Sequence, residues 1–139
     1  YVTDFPDGEV LNMEKVVAIP HLGASTEEAE TNCAVMVARQ VRDFIENGNI
    51  ANSVNYPALK LDQNSGYRLV VMNKNIPNMV GQISTVLAKA GVNIVEMLNR
   101  SKGNWASNLI DVENPLSSNV VDALYQIEGV VKVRYLELK

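Results

Sequence analysis

His21 is the only histidine among the 139 residues, and imidazole is the side chain best suited to acid and base work near neutral pH. It follows the apolar run Val16-Val17-Ala18-Ile19, which Pro20 ends and which is typical of a strand covered on both faces in a parallel sheet. Open α/β sheets place their ligands at the carboxyl ends of such strands. Three acids, Asp4, Asp7 and Glu9, lie nearby in sequence, and a carboxylate can orient an imidazole ring. His21 is therefore a catalytic candidate, although a lone histidine is more often structural.

Three asparagines form a second group that could do chemistry. Asn73 and Asn75 lie in a polar break after the apolar run Leu69–Met72, and Asn93 lies inside an otherwise apolar segment. Because an amide both donates and accepts hydrogen bonds, three amides together could hold one small polar ligand. Turn formation explains Asn73 and Asn75 equally well. Asn93 needs a polar partner, and we expect it to lie near the loop that follows the first strand, where the three amides would converge.

The elements that carry these asparagines predict a βαββαβ order. Apolar β-branched segments predict strands at 69–72, 92–98, 105–112 and 131–136, and periodicity predicts helices from Met79 and from Ser117 or Ser118. Gly91 and Gly129 suit helix ends, where the backbone turns left-handed. We therefore predict a ferredoxin-like α+β sandwich over residues 67–138. This fold hosts RNA binders, ion carriers and small-molecule sensors, so it does not decide function.

The first 50 residues carry a different pattern. Tyr1-Val2-Thr3 and Val16–Ile19 predict strands of the parallel type, and Ser25 with Glu28 predicts a capping box for a long helix that ends at Asn47-Gly48. A wide apolar stripe on this helix predicts a substantial packing partner. We expect residues 1–50 to be the last strands and crossover helix of a truncated Rossmann-type α/β domain. Residues 51–66 would then form a linker, and residues 67–139 a second domain.

Composition excludes several classes of function. The net charge of −4 argues against binding a nucleic-acid backbone, and no apolar run reaches the roughly 18 residues that span a membrane. With one histidine and one cysteine, Cys33, we expect no metal site and no intrachain disulfide, and a cytoplasmic location fits best. The sequence also contains no glycine-rich phosphate loop.

Three segments resemble the phosphoglycerate dehydrogenases, a branch of the NAD-dependent D-2-hydroxyacid dehydrogenase family. They are Asp4-Phe5-Pro6, Pro20-His21-Leu22-Gly23-Ala24-Ser25-Thr26 with Glu28, and Asn52-Ser53-Val54-Asn55-Tyr56-Pro57. In the second half, Asn75-Ile76-Pro77 and Gly91-Val92-Asn93-Ile94 match the motif of the ACT regulatory domain. The resemblance implies part of an enzyme that oxidises 3-phosphoglycerate to 3-phosphohydroxypyruvate with NAD in L-serine biosynthesis.

The resemblance also implies roles for residues of the first half. His21 matches the acid/base that takes the substrate hydroxyl proton, and Glu9 matches its carboxylate partner, with Asp7 as a rival for that role. Asp4 matches the residue that holds the nicotinamide amide, and Gly23 matches a close approach behind the nicotinamide ring. The catalytic arginine and the dinucleotide fingerprint lie upstream in the family, so we expect this chain alone to be inactive.

In the second half, Asn73, Asn75 and Asn93 match positions that bind L-serine across a dimer interface. The resemblance therefore implies an amino-acid effector and a homo-oligomer formed through the sheet edge. Asn73 replaces a common histidine and Asn78 replaces the usual glycine, which leaves open whether this version responds to serine. Two alternatives stay open: a free-standing ACT-type amino-acid sensor, and another D-2-hydroxyacid dehydrogenase with an ACT tail.

Overall fold

The computed structural model describes residues 1–63 and 66–138. Asn64 and Ser65 of the predicted linker, and Lys139 at the end of the predicted second domain, lie outside the described residues. The chain forms two compact units, Tyr1–Ala38 and Arg39–Lys139. The predicted domain limits of 1–50, 51–66 and 67–139 stay a prediction.

The first unit contains a two-stranded parallel sheet, as predicted. Strand β1 (Val2–Thr3) pairs with β2 (Val17–Ala18), and a single helical turn at Val10–Asn12 lies between them in sequence. The expected burial of the second strand on both faces is wrong for the described residues, because Val17 is 56% exposed and Ile19 is 47% exposed. Two-residue strands form only a narrow ribbon, which cannot cover its own faces.

Helix α1 (Glu27–Asn47) begins with a different cap from the one predicted. The hydroxyl of Thr26 accepts a hydrogen bond from the Ala29 N–H at 3.1 Å, whereas the Ser25 N–H donates to Leu22 in the preceding turn. The C-terminal prediction is confirmed, because Gly48 follows the helix with φ of +76°. Much of the predicted apolar stripe is exposed, namely Met36, Val37, Val41 and Ile45.

The second unit is the predicted ferredoxin-like sandwich. Its elements are β3 (Tyr67–Lys74), α2 (Met79–Lys89), β4 (Ile94–Lys102), β5 (Trp105–Val112), α3 (Ser118–Tyr125) and β6 (Val130–Glu137). The sheet order is β4-β5-β3-β6, and all neighbouring pairs are antiparallel. Strands β4 and β6 therefore form the two edges of the sheet.

Alternation along the strands divides the core of this unit between the two faces of the sheet. On the face covered by α2 and α3, the buried apolar residues include Leu69, Val71, Ile83, Leu87, Ile110 and Leu124. On the opposite face, Val70 and Leu109 pack with Ile50, Leu59 and Leu61. Residues 59 and 61 belong to the predicted linker, so part of that segment covers the sheet.

A buried ion pair fixes this covering segment to the sheet. Arg68 Nε lies 2.6 Å from Asp111 Oδ1, and the two side chains are 1% and 0% exposed. The same guanidinium donates to the main-chain carbonyls of Asn47, Leu61 and Asp62. One arginine therefore joins the end of α1, the segment after it and strand β5.

Candidate functional site

His21 pairs with Asp4 in the first unit. Its Nδ1 lies 2.9 Å from Asp4 Oδ2, and the two side chains are 63% and 47% exposed. The ring of Phe5 meets the imidazole edge-on, with centroids 5.4 Å apart. Because Asp4 holds Nδ1, the other ring nitrogen, Nε2, is the one left to exchange a proton with a substrate.

Asp7, one of the two acids predicted to pair with His21, caps a helical turn instead. Asp7 Oδ1 accepts hydrogen bonds from the N–H groups of Glu9 and Val10, at 3.1 and 2.8 Å, and so caps the short helical turn. Glu9 is exposed and precedes that turn. The structure therefore brings Asp4 to His21, while the catalytic role predicted for Glu9 stays a prediction.

The two residues predicted to contact the nicotinamide of NAD, Asp4 and Gly23, are accessible in the first unit. A side chain at Gly23 would meet no atom within 4 Å, so space is open for a flat ring to pass. Asp4 contacts His21 through Oδ2, and its second carboxylate oxygen is left to accept from an amide. The described residues offer no glycine-rich turn for the phosphates, so this chain could hold NAD only together with other residues.

Asn73 is buried within the second unit. Its side chain is 1% exposed, its Oδ1 accepts from Asn108 Nδ2 at 2.8 Å, and its Nδ2 donates to the Lys74 carbonyl at 2.7 Å. Both polar atoms are thus engaged inside the chain. Because Asn73 is buried, direct contact with an effector would require the surrounding residues to move.

Asn75 is exposed and holds the β4–β5 hairpin. Its Nδ2 donates to the Gly103 carbonyl at 3.0 Å, and its main-chain N–H donates to the Asn104 carbonyl at 2.9 Å. Lys102, at the end of the same hairpin, donates to the carbonyls of Ser53 and Val54. The hairpin therefore contacts both Asn75 and the segment before β3.

Asn93 lies at the opposite end of the sheet from Asn73 and Asn75. Ile94 is in register with Val112, which pairs with Tyr67 at the beginning of β3, whereas Asn73 lies near its end. The Asn93 side chain donates to Glu113 Oε2 at 3.2 Å. The expected convergence of the three amides is therefore wrong within a single chain.

Asn78, which replaces the usual motif glycine, keeps the backbone shape that glycine would supply. Its φ of +65° lies in the left-handed region, which asparagine tolerates better than most residues. Its carboxamide makes no hydrogen bond to the first turn of α2 and packs against Gly81, where an added side chain would collide with it. The substitution therefore preserves the loop and places an amide beside the helix start.

Two asparagines that sequence reasoning missed complete a row of amides that is buried at Asn73 and Asn108 and exposed at Asn99; we call it the amide ladder. Asn108 is 0% exposed and donates to Asn73 and to the Val71 carbonyl, while Asn99 Nδ2 donates to Asn108 Oδ1 at 2.7 Å. The signal was available, because Asn108 interrupts an apolar strand as Asn93 does. The ladder crosses strands β3, β5 and β4 on the helix-covered face.

The described residues show neither a metal site nor a membrane-spanning helix. They contain no group of three or more histidine, cysteine or acidic side chains arranged to hold a metal ion. Of the helices in residues 1–63 and 66–138, none has both the length and the apolar character needed to cross a membrane.

The sequence of this chain is similar to those of several D-3-phosphoglycerate dehydrogenases. D-3-phosphoglycerate dehydrogenase of Escherichia coli (strain K12) is 28% identical over 125 residues, which cover 88% of this chain and 30% of that protein. D-3-phosphoglycerate dehydrogenase 1 of Saccharomyces cerevisiae is 27% identical over 136 residues, covering 92% of this chain and 29% of the relative. The predicted resemblance to these dehydrogenases is confirmed. The chain spans about three tenths of the length of the relatives it matches.

Solved structures of regulatory domains are similar to about half of this chain. No protein-family profile matches the chain. The ACT domain of a GTP pyrophosphokinase from Chlorobium tepidum is similar with a TM-score of 0.43 and 22% identity, over 50% of this chain and 95% of that one. The regulatory subunit of aspartate kinase from Thermus thermophilus gives a TM-score of 0.43 and 12% identity, over 50% of this chain and 48% of that one.

Proposed function

We propose that this chain is the C-terminal part of a cytoplasmic D-3-phosphoglycerate dehydrogenase and includes its ACT regulatory domain. The complete enzyme oxidises 3-phosphoglycerate to 3-phosphohydroxypyruvate with NAD, at the entry to L-serine synthesis. The observation that carries the proposal is that similarity to these dehydrogenases covers 88% of the chain, and so reaches well beyond the four-stranded sandwich. A free-standing sensor would have no reason to share the segment around His21.

His21 is the acid/base of this proposed reaction. Asp4 accepts a hydrogen bond from Nδ1, which leaves Nε2 to take the proton of the substrate hydroxyl. Bound NAD would supply the hydride acceptor. The carboxylate holds the ring in one orientation. The Phe5 ring limits the movement of the imidazole on one side.

Substitution of His21 in the complete dehydrogenase tests this role. We expect His21→Ala to lower kcat at least a hundredfold with little change in NAD affinity, because general acid–base catalysis contributes about 10² to 10⁴ in rate. Glu14→Gln, which changes an exposed acid of the same unit, serves as the control. Near-normal kcat in the His21 variant would remove this residue from the mechanism. A larger loss for Asp4→Asn than for Glu9→Gln would support Asp4 as its partner.

The second unit binds a small amino acid, L-serine being the first candidate, between two copies of the chain. Edge strand β4 offers unpaired main-chain groups to a second copy. Antiparallel pairing of two β4 strands about a two-fold axis would bring Asn93 of one copy towards the Asn75 end of the other. That arrangement would place Asn93 and Asn75 close together across the interface, although they lie at opposite ends of the sheet within one chain.

Sedimentation of paired edge variants tests the dimer. Val95 in β4 and Val131 in β6 are matched, since they are 47% and 49% exposed on opposite edge strands. A lysine on an edge strand opposes pairing. We expect the unsubstituted chain and Val131→Lys to be dimers and Val95→Lys to be a monomer. A monomeric parent at high micromolar concentration, or equal behaviour of the two variants, would contradict the proposed edge.

A further inference from the structure

The amide ladder has one hydrogen-bonding direction, which two main-chain carbonyls determine. Asn108 Nδ2 lies 3.1 Å from the Val71 carbonyl, and a carbonyl can only accept, so this atom is the amide nitrogen. Asn108 Oδ1 must then accept from Asn99 Nδ2, as it does at 2.7 Å. The Lys74 carbonyl orients Asn73 in the same way, and its Oδ1 accepts from Asn108.

This direction determines which atom the ladder presents at its exposed end. Asn73 and Asn108 are buried, whereas Asn99 is exposed on edge strand β4. Because Asn99 Nδ2 donates one hydrogen to Asn108, the ladder orients this carboxamide, and its oxygen can accept from groups outside the chain. A fixed acceptor suits a ligand with a strong donor, such as an ammonium group.

The position of Asn99 matches the place where two copies would meet. Two strand spacings, about 10 Å, separate β4 from β3, so Asn99 is closer than Asn73 to any second copy paired at that edge. Asn73 is 1% exposed, and its Oδ1 and Nδ2 already bond to Asn108 and to the Lys74 carbonyl. An effector held between the copies therefore reaches Asn99 before it reaches Asn73.

We propose that Asn99 binds the ammonium group of the amino-acid effector through Oδ1, and that Asn108 is a positioning residue that orients it. This inference rests on the proposed function of the second unit and adds a residue that discriminates amino acids from their hydroxy analogues. In this arrangement Asn73 acts through Asn108 and does not touch the ligand.

Titration calorimetry with two ligands and two variants tests the assignment. The probes are L-serine and L-glycerate, which carries a hydroxyl in place of the ammonium group. The variants are Asn99→Leu and Asn119→Leu, the latter making the same change at an exposed asparagine of α3. We expect Asn99→Leu to weaken serine binding on the order of ten- to a hundredfold, the typical loss for a hydrogen bond to a charged group. Glycerate binding should change far less.

The two-ligand design separates a direct contact from a structural effect. A distorted site would weaken both ligands equally, so an unchanged serine-to-glycerate ratio in Asn99→Leu would overturn the proposal, as would unchanged serine affinity. If Asn99→Leu does not fold by circular dichroism, Asn99→Ala carries the same test. If the unsubstituted chain binds neither ligand at millimolar concentration, the proposed function of this unit fails and the assignment of Asn99 fails with it.

Discussion

The two compact units differ in whether their apolar side chains are buried. No residue between Tyr1 and Ala38 is buried, although Val17, Ile19 and Leu22 are apolar. In the unit Arg39–Lys139, side chains of the same type, such as Ile83 and Leu124, are 0% exposed. An apolar side chain is suited to burial, but it becomes buried only where helices or other segments cover it.

The polar side chains of the two units also differ in their exposure to solvent. The imidazole and carboxylate of His21 and Asp4 remain open to solvent and to a substrate. The amides of Asn73 and Asn108 are buried, and they form hydrogen bonds to each other and to main-chain carbonyls. A group that performs chemistry must stay reachable, whereas a group that positions a neighbour works best when it is buried and fully bonded.

Loss of the buried ion pair should have the largest effect on stability. We expect Arg68→Ala to lower the free energy of unfolding by about 3–5 kcal/mol, because it removes one partner of a pair that is excluded from water. Arg42→Ala breaks an exposed pair with Glu46 and should cost less than about 0.5 kcal/mol. Urea unfolding measures both changes. Similar losses for the two arginines would contradict the contrast between buried and exposed charges.

Truncation of an apolar side chain in each unit compares their cores directly. We expect Ile83→Ala to cost about 2–5 kcal/mol, because it leaves a cavity between α2 and the sheet. Val17→Ala, at an exposed position, should stay within about 0.5 kcal/mol. Urea unfolding of the 139-residue chain provides the comparison, and a comparable loss at Val17 would show that the first unit is covered after all.

The segment before β3 can be tested with one buried and one exposed residue. Leu59 is 1% exposed and Val54 is 90% exposed. We expect Leu59→Ala to cost about 2–3 kcal/mol, towards the lower end for a core leucine because a loop can relax around the cavity. Val54→Ala should be nearly neutral in the same thermal unfolding experiment. If both changes are neutral, this segment does not stabilise the sheet.

We expect the smallest effect on the free energy of unfolding from the ionisation of Tyr135 at alkaline pH. Burial raises the pKa of Tyr135 above its ordinary value of 10.0, and nearby Glu137 and Tyr67 add to the shift while the Leu116 N–H opposes it. The folded state therefore holds this proton more tightly. The resulting stabilisation is present below about pH 10 and is lost as the pH rises through the raised pKa.

Tyr135→Phe removes the titrating proton. We expect the free energy of unfolding of this variant to fall less steeply above pH 10 than that of the parent. Tyr1→Phe, at a residue that is 77% exposed, provides the control. Urea unfolding at a series of pH values gives both slopes, and equal slopes for Tyr135→Phe and the parent would refute the expected contribution.

Local patterns predicted most of the fold because each depends on neighbouring residues. The alternation in 105–112 predicted β5 with the bounds observed, and the period from Met79 predicted α2. Gly91 has φ of +69° and Gly129 has φ of +94°, as helix ends require. The choice of Thr26 over Ser25 as the cap of α1 was missed, because both residues offer a hydroxyl at a plausible spacing.

The candidate site depends on long-range register, which local patterns do not contain. Strands β3 and β4 are both antiparallel to β5 and hence parallel to each other, so Asn93 returns to the end where β3 begins. The connection through a helix predicts this arrangement, and the expectation of three converging amides overlooked it. The pairs Arg68–Asp111 and Asn73–Asn108 join residues 43 and 35 positions apart, and only the sheet reveals them.

Hydrogen–deuterium exchange with and without L-serine tests the central claim most directly, namely that the second unit binds an effector between two β4 edges. Saturating serine should increase the protection of main-chain amides of β4 and of residues 73–78, because a ligand held between the two copies would stabilise the existing β4 pairing and order the loop. Amides between Tyr1 and Ala38 should exchange at unchanged rates. Protection confined to the first unit, or no protection anywhere with saturating serine, would contradict the account.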